Sequence, residues 1–350
     1  MHIKCAHTGF DLVKPILNIV ALLAIFSSLV FTQSALAETQ SLGLKPIVIY
    51  KSKPNPQSFL GLIEKGLDKT DKLLGIETTR KIITKEESYT ASIISAVKAG
   101  YDPIISVYAT STPQLSNVMK AYPGTRFVLY DISFDIANSL GILFDSSHAA
   151  YILGYLAGSK TESGKVGFIG GIDNPAVENF RCGFELGLHD ANPNAALNSE
   201  YVGTTSDAWL NSTKAEEIAE GLIEQGIDVL FPVAGFSSQG VYKAASENSI
   251  TTFGVDTNQN DAYSHVVMAS MLKHVDDATF AVMKQLYLGI WNSNHKHFGT
   301  SQNMVEIILN PEHQAVREED KVLLEQLSNK MKMTSSGPLK ALNRNCSRHF

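Results

Sequence analysis

Three short apolar runs, each ending in a polar turn, constrain this chain more than any other feature. They are Lys165-Val-Gly-Phe-Ile-Gly-Gly-Ile-Asp-Asn174, Asp228-Val-Leu-Phe-Pro-Val-Ala-Gly235 and Thr252-Phe-Gly-Val-Asp256. Each has the length of a strand buried on both faces, and each breaks at its carboxyl end into Gly, Asp, Asn or Ser. Such strands need helices on both sides, so the pattern predicts an open α/β sheet. Ligands of open α/β sheets sit outside the carboxyl ends of the strands, where these polar turns fall. A chain of this kind is built to hold a small molecule.

The alternation extends through most of the chain. Upstream, strands are expected at Pro46–Tyr50, Thr78–Ile83, Pro103–Val107 and Arg126–Tyr130, with helices between them. Phe59, Leu62, Ile63, Gly66 and Leu67 recur at helical spacing. After a bridge at 139–159 the alternation restarts at Lys165, with strands near 200–202, 228–233 and 251–255. Helices are expected over about 175–189, 208–225 and 238–247. Two βα runs of about 100 residues each exceed one small sheet, so two similar doubly wound lobes are predicted, closing on a ligand by hinge bending.

Lys4 and Lys14 precede an apolar run from Ile16 to Phe31, and Ser34-Ala-Leu-Ala37 offers small residues for cleavage. Residues 1–37 read as a secretory signal peptide, with an uncleaved anchor as the alternative. No Cys stands at the cleavage point, so lipid attachment there is not expected. A periplasmic, exported protein follows. Without those residues the net charge moves from −6 to −7. A mildly acidic chain without a basic stripe argues against nucleic acid as a partner. Cys5 departs with the signal. Cys182, inside a predicted helix, reads as a small apolar residue rather than a disulfide partner of Cys346.

Catalytic signatures are missing. The chain has no H-E-x-x-H, no metal-spaced Cys pair, no G-x-S-x-G and no G-x-x-x-x-G-K-[ST]. His295-Lys-His297 reads as a solvated tract. No enzyme activity, metal or cofactor is expected.

The stretch Lys165–Pro175 with Phe180 and Gly183 resembles the basic membrane protein family of periplasmic solute-binding proteins, which includes purine nucleoside receptors of ABC transporters. Tyr201-Val-Gly203 with Asp207, Phe231–Gly235 with Gly240, Gly254-Val-Asp256 with Gln259, and Ser270–Asp276 follow in the family's order. The resemblance covers most of 45–300 and implies the type I periplasmic-binding-protein fold, as a monomer. Lobe 1 would comprise 45–145 plus about 257–290, lobe 2 would comprise 146–256 plus about 291–331, and 332–350 would form a tail. It also implies nucleoside capture, with aromatic rings on the base and carboxylates on the ribose hydroxyls.

Carried over, Asp256 is the sugar-binding carboxylate, and Lys273, on the following helix, is its basic partner or a second ligand contact. Asp131 is a further strand-end carboxylate, and Ser58, Phe59 and Phe236 complete the site. Each residue also has a structural reading. Asp256 and Asp131 can serve as a cap and a turn former, Lys273 as a solvated helix lysine, and Phe59 as part of the core stripe. Pro56 and Leu60 stand where the family carries polar groups for the base edge, so a ligand other than an ordinary purine nucleoside stays open. The implied partner is an ABC permease; the alternative is a membrane sensor kinase or chemoreceptor.

Overall fold

A computed structural model describes residues 43–107, 112–293 and 295–332. The expected signal segment, Cys346 and residues 333–350 of the expected tail lie outside the described residues. Two six-stranded sheets form the body. The first contains β1 (Ile47–Tyr50), β2 (Thr79–Ile82), β3 (Ile104–Ser106), β4 (Phe127–Tyr130), β5 (Ser139–Phe144) and β11 (Lys296–Phe298). Its order is β2-β1-β3-β4-β5-β11, and every pair is parallel. The second contains β6 (Lys165–Ile172), β7 (Ala196–Gly203), β8 (Val229–Val233), β9 (Thr251–Asp256), β10 (Val267–Lys273) and β12 (Val305–Leu309). Its order is β7-β6-β8-β9-β10-β12, with β12 alone antiparallel. In both sheets the strand order reverses beside the first strand, which opens a crevice at the carboxyl ends.

The apolar runs form strands because both of their faces are covered. Every residue of β1, β4 and β8 is buried. The helices that cover the first sheet are α1 (Phe59–Leu74), α2 (Glu86–Lys98), α3 (Thr112–Ala121) and α8 (Val275–Tyr287). The second carries α4 (Ser147–Lys160), α5 (Pro175–Ala191), α6 (Ser212–Glu224) and α7 (Ser238–Asn248), with α9 (Glu318–Lys332) against α4. Helices α4 and α5 approach until their backbones touch. A Cβ on Gly154 would lie 1.9 Å from the Phe184 carbonyl oxygen, and one on Gly187 would lie 1.9 Å from that of Tyr151.

The chain crosses between the lobes three times: at Asp145–Ser146 after β5, at His274 after β10, and at Gly299 after β11. The crossings are tied together, with Asp145 N donating to Phe298 O at 2.7 Å and His274 N to Met304 O at 2.9 Å. These crossings correct the expected lobe boundaries. Val267–Lys273 belongs to the second sheet and Lys296–Phe298 to the first, because the chain changes sides at 274 and 299. Lys332 is the last residue of α9 rather than the first of a tail. Cys182 is disulfide-bonded, against the expectation of an unpaired apolar residue. The other two cysteines lie outside the described residues.

Candidate functional site

Helix α1 begins at the gap between the lobes, and Ser58 is its N-cap. The Ser58 hydroxyl donates to Asn55 O at 2.7 Å and accepts from Gly61 N at 3.4 Å. Gly61 permits this turn, since a Cβ there would lie 2.1 Å from Asn55 O. Ser58→Ala is expected to cost about 1 kcal/mol of stability through the lost cap, read as a lower urea midpoint with an unchanged slope. Ser58 and Gln57 also wall a small chamber whose opposite side is Gly235, Gln239, Tyr242, Asp256 and Gln259 of lobe 2. A hydrogen bond spans the gap, from Thr257 Oγ1 to Gln57 O at 3.2 Å.

Asp131 directly follows β4 and Asp256 closes β9, the fourth strand of each lobe in chain order. Both adopt left-handed backbone, with φ of 55° and 67°. Asp is among the few side chains that tolerate this conformation, because its short polar group can bond locally. The pair is thus repeated by the pseudo-symmetry of the lobes, and both carboxylates lie in the field of one ammonium, that of Lys273.

Lys273 is the last residue of β10, not a helix residue as expected; its helix, α8, begins two residues later. It is only 5% exposed, which rules out the solvated reading. Its Nζ lies 4.0 Å from Asp256 Oδ1. Three rings surround it, with centroids at 4.7 Å for Phe180, 5.2 Å for Phe59 and 5.4 Å for Phe144. A desolvated ammonium gains from aromatic faces, which partly replace lost water. Burial pushes the Asp256 carboxyl above the ordinary range; Lys273 pulls it down and Asp131 pushes it up. Asp131 is raised by burial and opposed by Lys273 in the same way. Two carboxylates therefore compete for one cation, a configuration short of hydrogen-bond donors that a ligand's hydroxyls can supply.

Phe59 is held edge-on by Tyr130 at 6.0 Å and Phe144 at 6.3 Å, so the packing and site readings of this ring are compatible. Phe236 lies in the 3-10 turn Gly235–Ser237, is 36% exposed and is not among the residues lining the chamber. It flanks the chamber through its neighbour Gly235. The sequence alone does not mark Phe144, Phe180, Tyr242 or Gln259 as site residues. Phe180 and Gln259 stand inside the quoted motifs; Phe144 and Tyr242 have no local signal and reach the site only through packing.

A family model described as ABC transporter substrate-binding protein, PnrA-like, matches residues 46–340. The chain belongs to this family. Among curated relatives it is 33% identical over 177 residues to basic membrane protein D of Borreliella burgdorferi, covering 49% of this chain and 51% of that one. It is 29% identical over 210 residues to the CD4+ T-cell-stimulating antigen of Listeria monocytogenes, covering 55% and 58%. The chain thus spans between about half and three-fifths of the length of these relatives. A solute-binding protein of an ABC transporter system from Aeropyrum pernix superposes with a TM-score of 0.74 at 20% identity, covering 87% of this chain and 99% of that one. A 5-methylthioribose transporter solute-binding protein from Thermotoga lettingae gives 0.62 at 12% identity, covering 86% and 97%. These neighbours identify the type I periplasmic-binding-protein fold. Among the described residues, this PnrA-like protein has no helix long and apolar enough to cross a membrane.

Proposed function

We propose that this protein is an exported receptor that captures a nucleoside-like solute between its lobes and delivers it to an ABC importer. The observation that carries the reading is the convergence of Asp131 and Asp256 on the buried Lys273, beside a chamber walled by both lobes. A vicinal diol donates to a carboxylate and accepts from an ammonium, so a ribose ring satisfies this trio. Phe59 and the exposed Phe236 offer π-faces to a base, each stacking contact contributing about 1–3 kcal/mol. Membership of the PnrA-like family supports the same assignment.

Thermal-shift and calorimetric titration with inosine, adenosine, guanosine, uridine, ribose and amino acids tests it. A nucleoside is expected to raise the melting temperature by mass action and to bind one to one. A shift with amino acids alone would remove the nucleoside assignment. Asp256→Ala is expected to weaken inosine binding by about 2 kcal/mol or more, because a charged, desolvated hydrogen bond is lost. Since the binding form is the carboxylate, and burial raises the Asp256 carboxyl, wild-type affinity should fall on acidification into that raised range. Asp256→Ala should flatten the dependence, leaving the part that belongs to Asp131. Equal affinities for wild type and variant in calorimetry would take Asp256 out of the site.

A further inference from the structure

Gln259 lies three residues beyond Asp256 and lines the same chamber, yet it is 97% buried. Its Nε2 donates to Thr257 Oγ1 at 2.8 Å, and Thr257 Oγ1 donates to Gln57 O of lobe 1 at 3.2 Å. A threonine hydroxyl has a single proton. That proton is committed to the Gln57 carbonyl across the gap, so Thr257 can only accept from Gln259. The amide of Gln259 is thereby fixed with its nitrogen toward Thr257 and its oxygen turned the other way. That oxygen, Oε1, is buried and has no hydrogen-bond partner. The backbone at Gln259 is pinned as well, since its N–H donates to Ser270 Oγ at 3.0 Å, and Ser270 Oγ donates in turn to Asn260 Oδ1 at 2.7 Å. The residue is held at both ends, its side chain lines the chamber, and one buried acceptor, Oε1, is left over. A buried acceptor without a donor is costly, and a ligand donor would relieve that cost.

We propose that Gln259 reads a hydroxyl of the ligand with Oε1 and, through Thr257, couples that contact to closure of the lobes on Gln57. This rests on the nucleoside reading above for the identity of the donor: a sugar hydroxyl beside the one taken by Asp256. A ligand that donates to Oε1 stabilises the amide orientation in which Nε2 supports the Thr257 bridge. A ligand lacking that hydroxyl leaves the oxygen unmatched. Discrimination and closure therefore share one side chain. Sites built to pair with a hydroxyl reject analogues lacking it far more strongly than apolar pockets reject a missing methylene.

The test uses the full mature chain with inosine, 2′-deoxyinosine and 3′-deoxyinosine as probes, in wild type, Gln259→Met, Gln259→Glu and Thr257→Val. In wild type, one of the two deoxy analogues is expected to bind at least tenfold more weakly than inosine. Gln259→Met is expected to reduce that penalty to less than threefold, because the acceptor is gone. Thr257→Val is expected to keep the full discrimination while weakening all three probes alike and speeding inosine release in stopped flow. Gln259→Glu keeps an acceptor but draws the Thr257 proton away from Gln57, so it should discriminate like wild type and release like Thr257→Val. Identical deoxy penalties in wild type and Gln259→Met would overturn the reading role, and wild-type release rates in Thr257→Val and Gln259→Glu would overturn the coupling.

If wild type ignores inosine altogether, the nucleoside assignment fails separately. The bridge is then judged on ligand-free protein by small-angle scattering. A larger radius of gyration in Thr257→Val and Gln259→Glu supports it, and an unchanged profile in both overturns it.

Discussion

Lys273→Met is expected to destabilise the ligand-free protein by about 3–5 kcal/mol at pH 8, the range for a buried ion pair deprived of one partner. The variant leaves the half-buried Asp131 and Asp256 without the cation that holds both carboxyls down. Methionine fills much of the space among Phe59, Phe144 and Phe180, so the loss is electrostatic rather than a cavity effect. The pH dependence separates the two. A carboxyl whose folded-state pKa lies above its unfolded value contributes stability at low pH that is lost as pH rises through the folded value. Without Lys273 both carboxyls move further up, so the deficit should shrink steadily between pH 8 and pH 5. Asp256→Asn in the Lys273→Met background should restore part of the loss at pH 8. A deficit independent of pH in denaturant titrations would mean that the lysine acts through packing alone.

Gly187→Ala is the second large effect, far from the ligand. The added Cβ would sit 1.9 Å from the Tyr151 carbonyl oxygen and 2.8 Å from Tyr155 N. Both are backbone atoms and cannot swing aside, so α4 and α5 must separate. A loss of about 3 kcal/mol is expected, the upper end for overpacking a well-filled interior. It should appear as a melting temperature lower by roughly 5 °C, since an unfolding entropy of about 2.1 cal/mol/K per residue gives about 1.6 °C per kcal/mol for a chain of this length. Gly221→Ala is the internal control, because nothing lies within 4 Å of a Cβ there; it should be neutral or slightly stabilising through helix propensity. Equal melting temperatures for the two variants would show that the helices tolerate separation.

The legible part of the fold follows from burial on two faces. Ile47–Tyr50, Phe127–Tyr130 and Val229–Val233 have continuous apolar runs because helices cover both sides of their sheets. Asp131 and Asp256 stood out for the same reason, since each follows or ends such a run. The strand Val267–Lys273 was not legible. Its run of Val-Met-Ala-Ser-Met-Leu passes into α8 with only His274 between, and no Gly or Pro marks the boundary. Periodicity does not separate a buried strand from a buried helix there, which is why Lys273 read as helical. Ala208 similarly reads as the start of a helix that begins only at Ser212, because Ser206–Trp209 forms a separate 3-10 turn.

What the amino-acid order determined by itself is the alternation of buried strands with amphipathic helices and the placement of carboxylates at two strand ends. Those features are local, written in the spacing of apolar side chains within a few residues. Tertiary structure alone decided which sheet each late strand joins, and that Phe59, Phe144 and Phe180 meet around Lys273. It also decided that Thr257 reaches Gln57, 200 positions away. Those contacts depend on three crossings between the lobes, and no local pattern encodes on which side a crossing chain will pair.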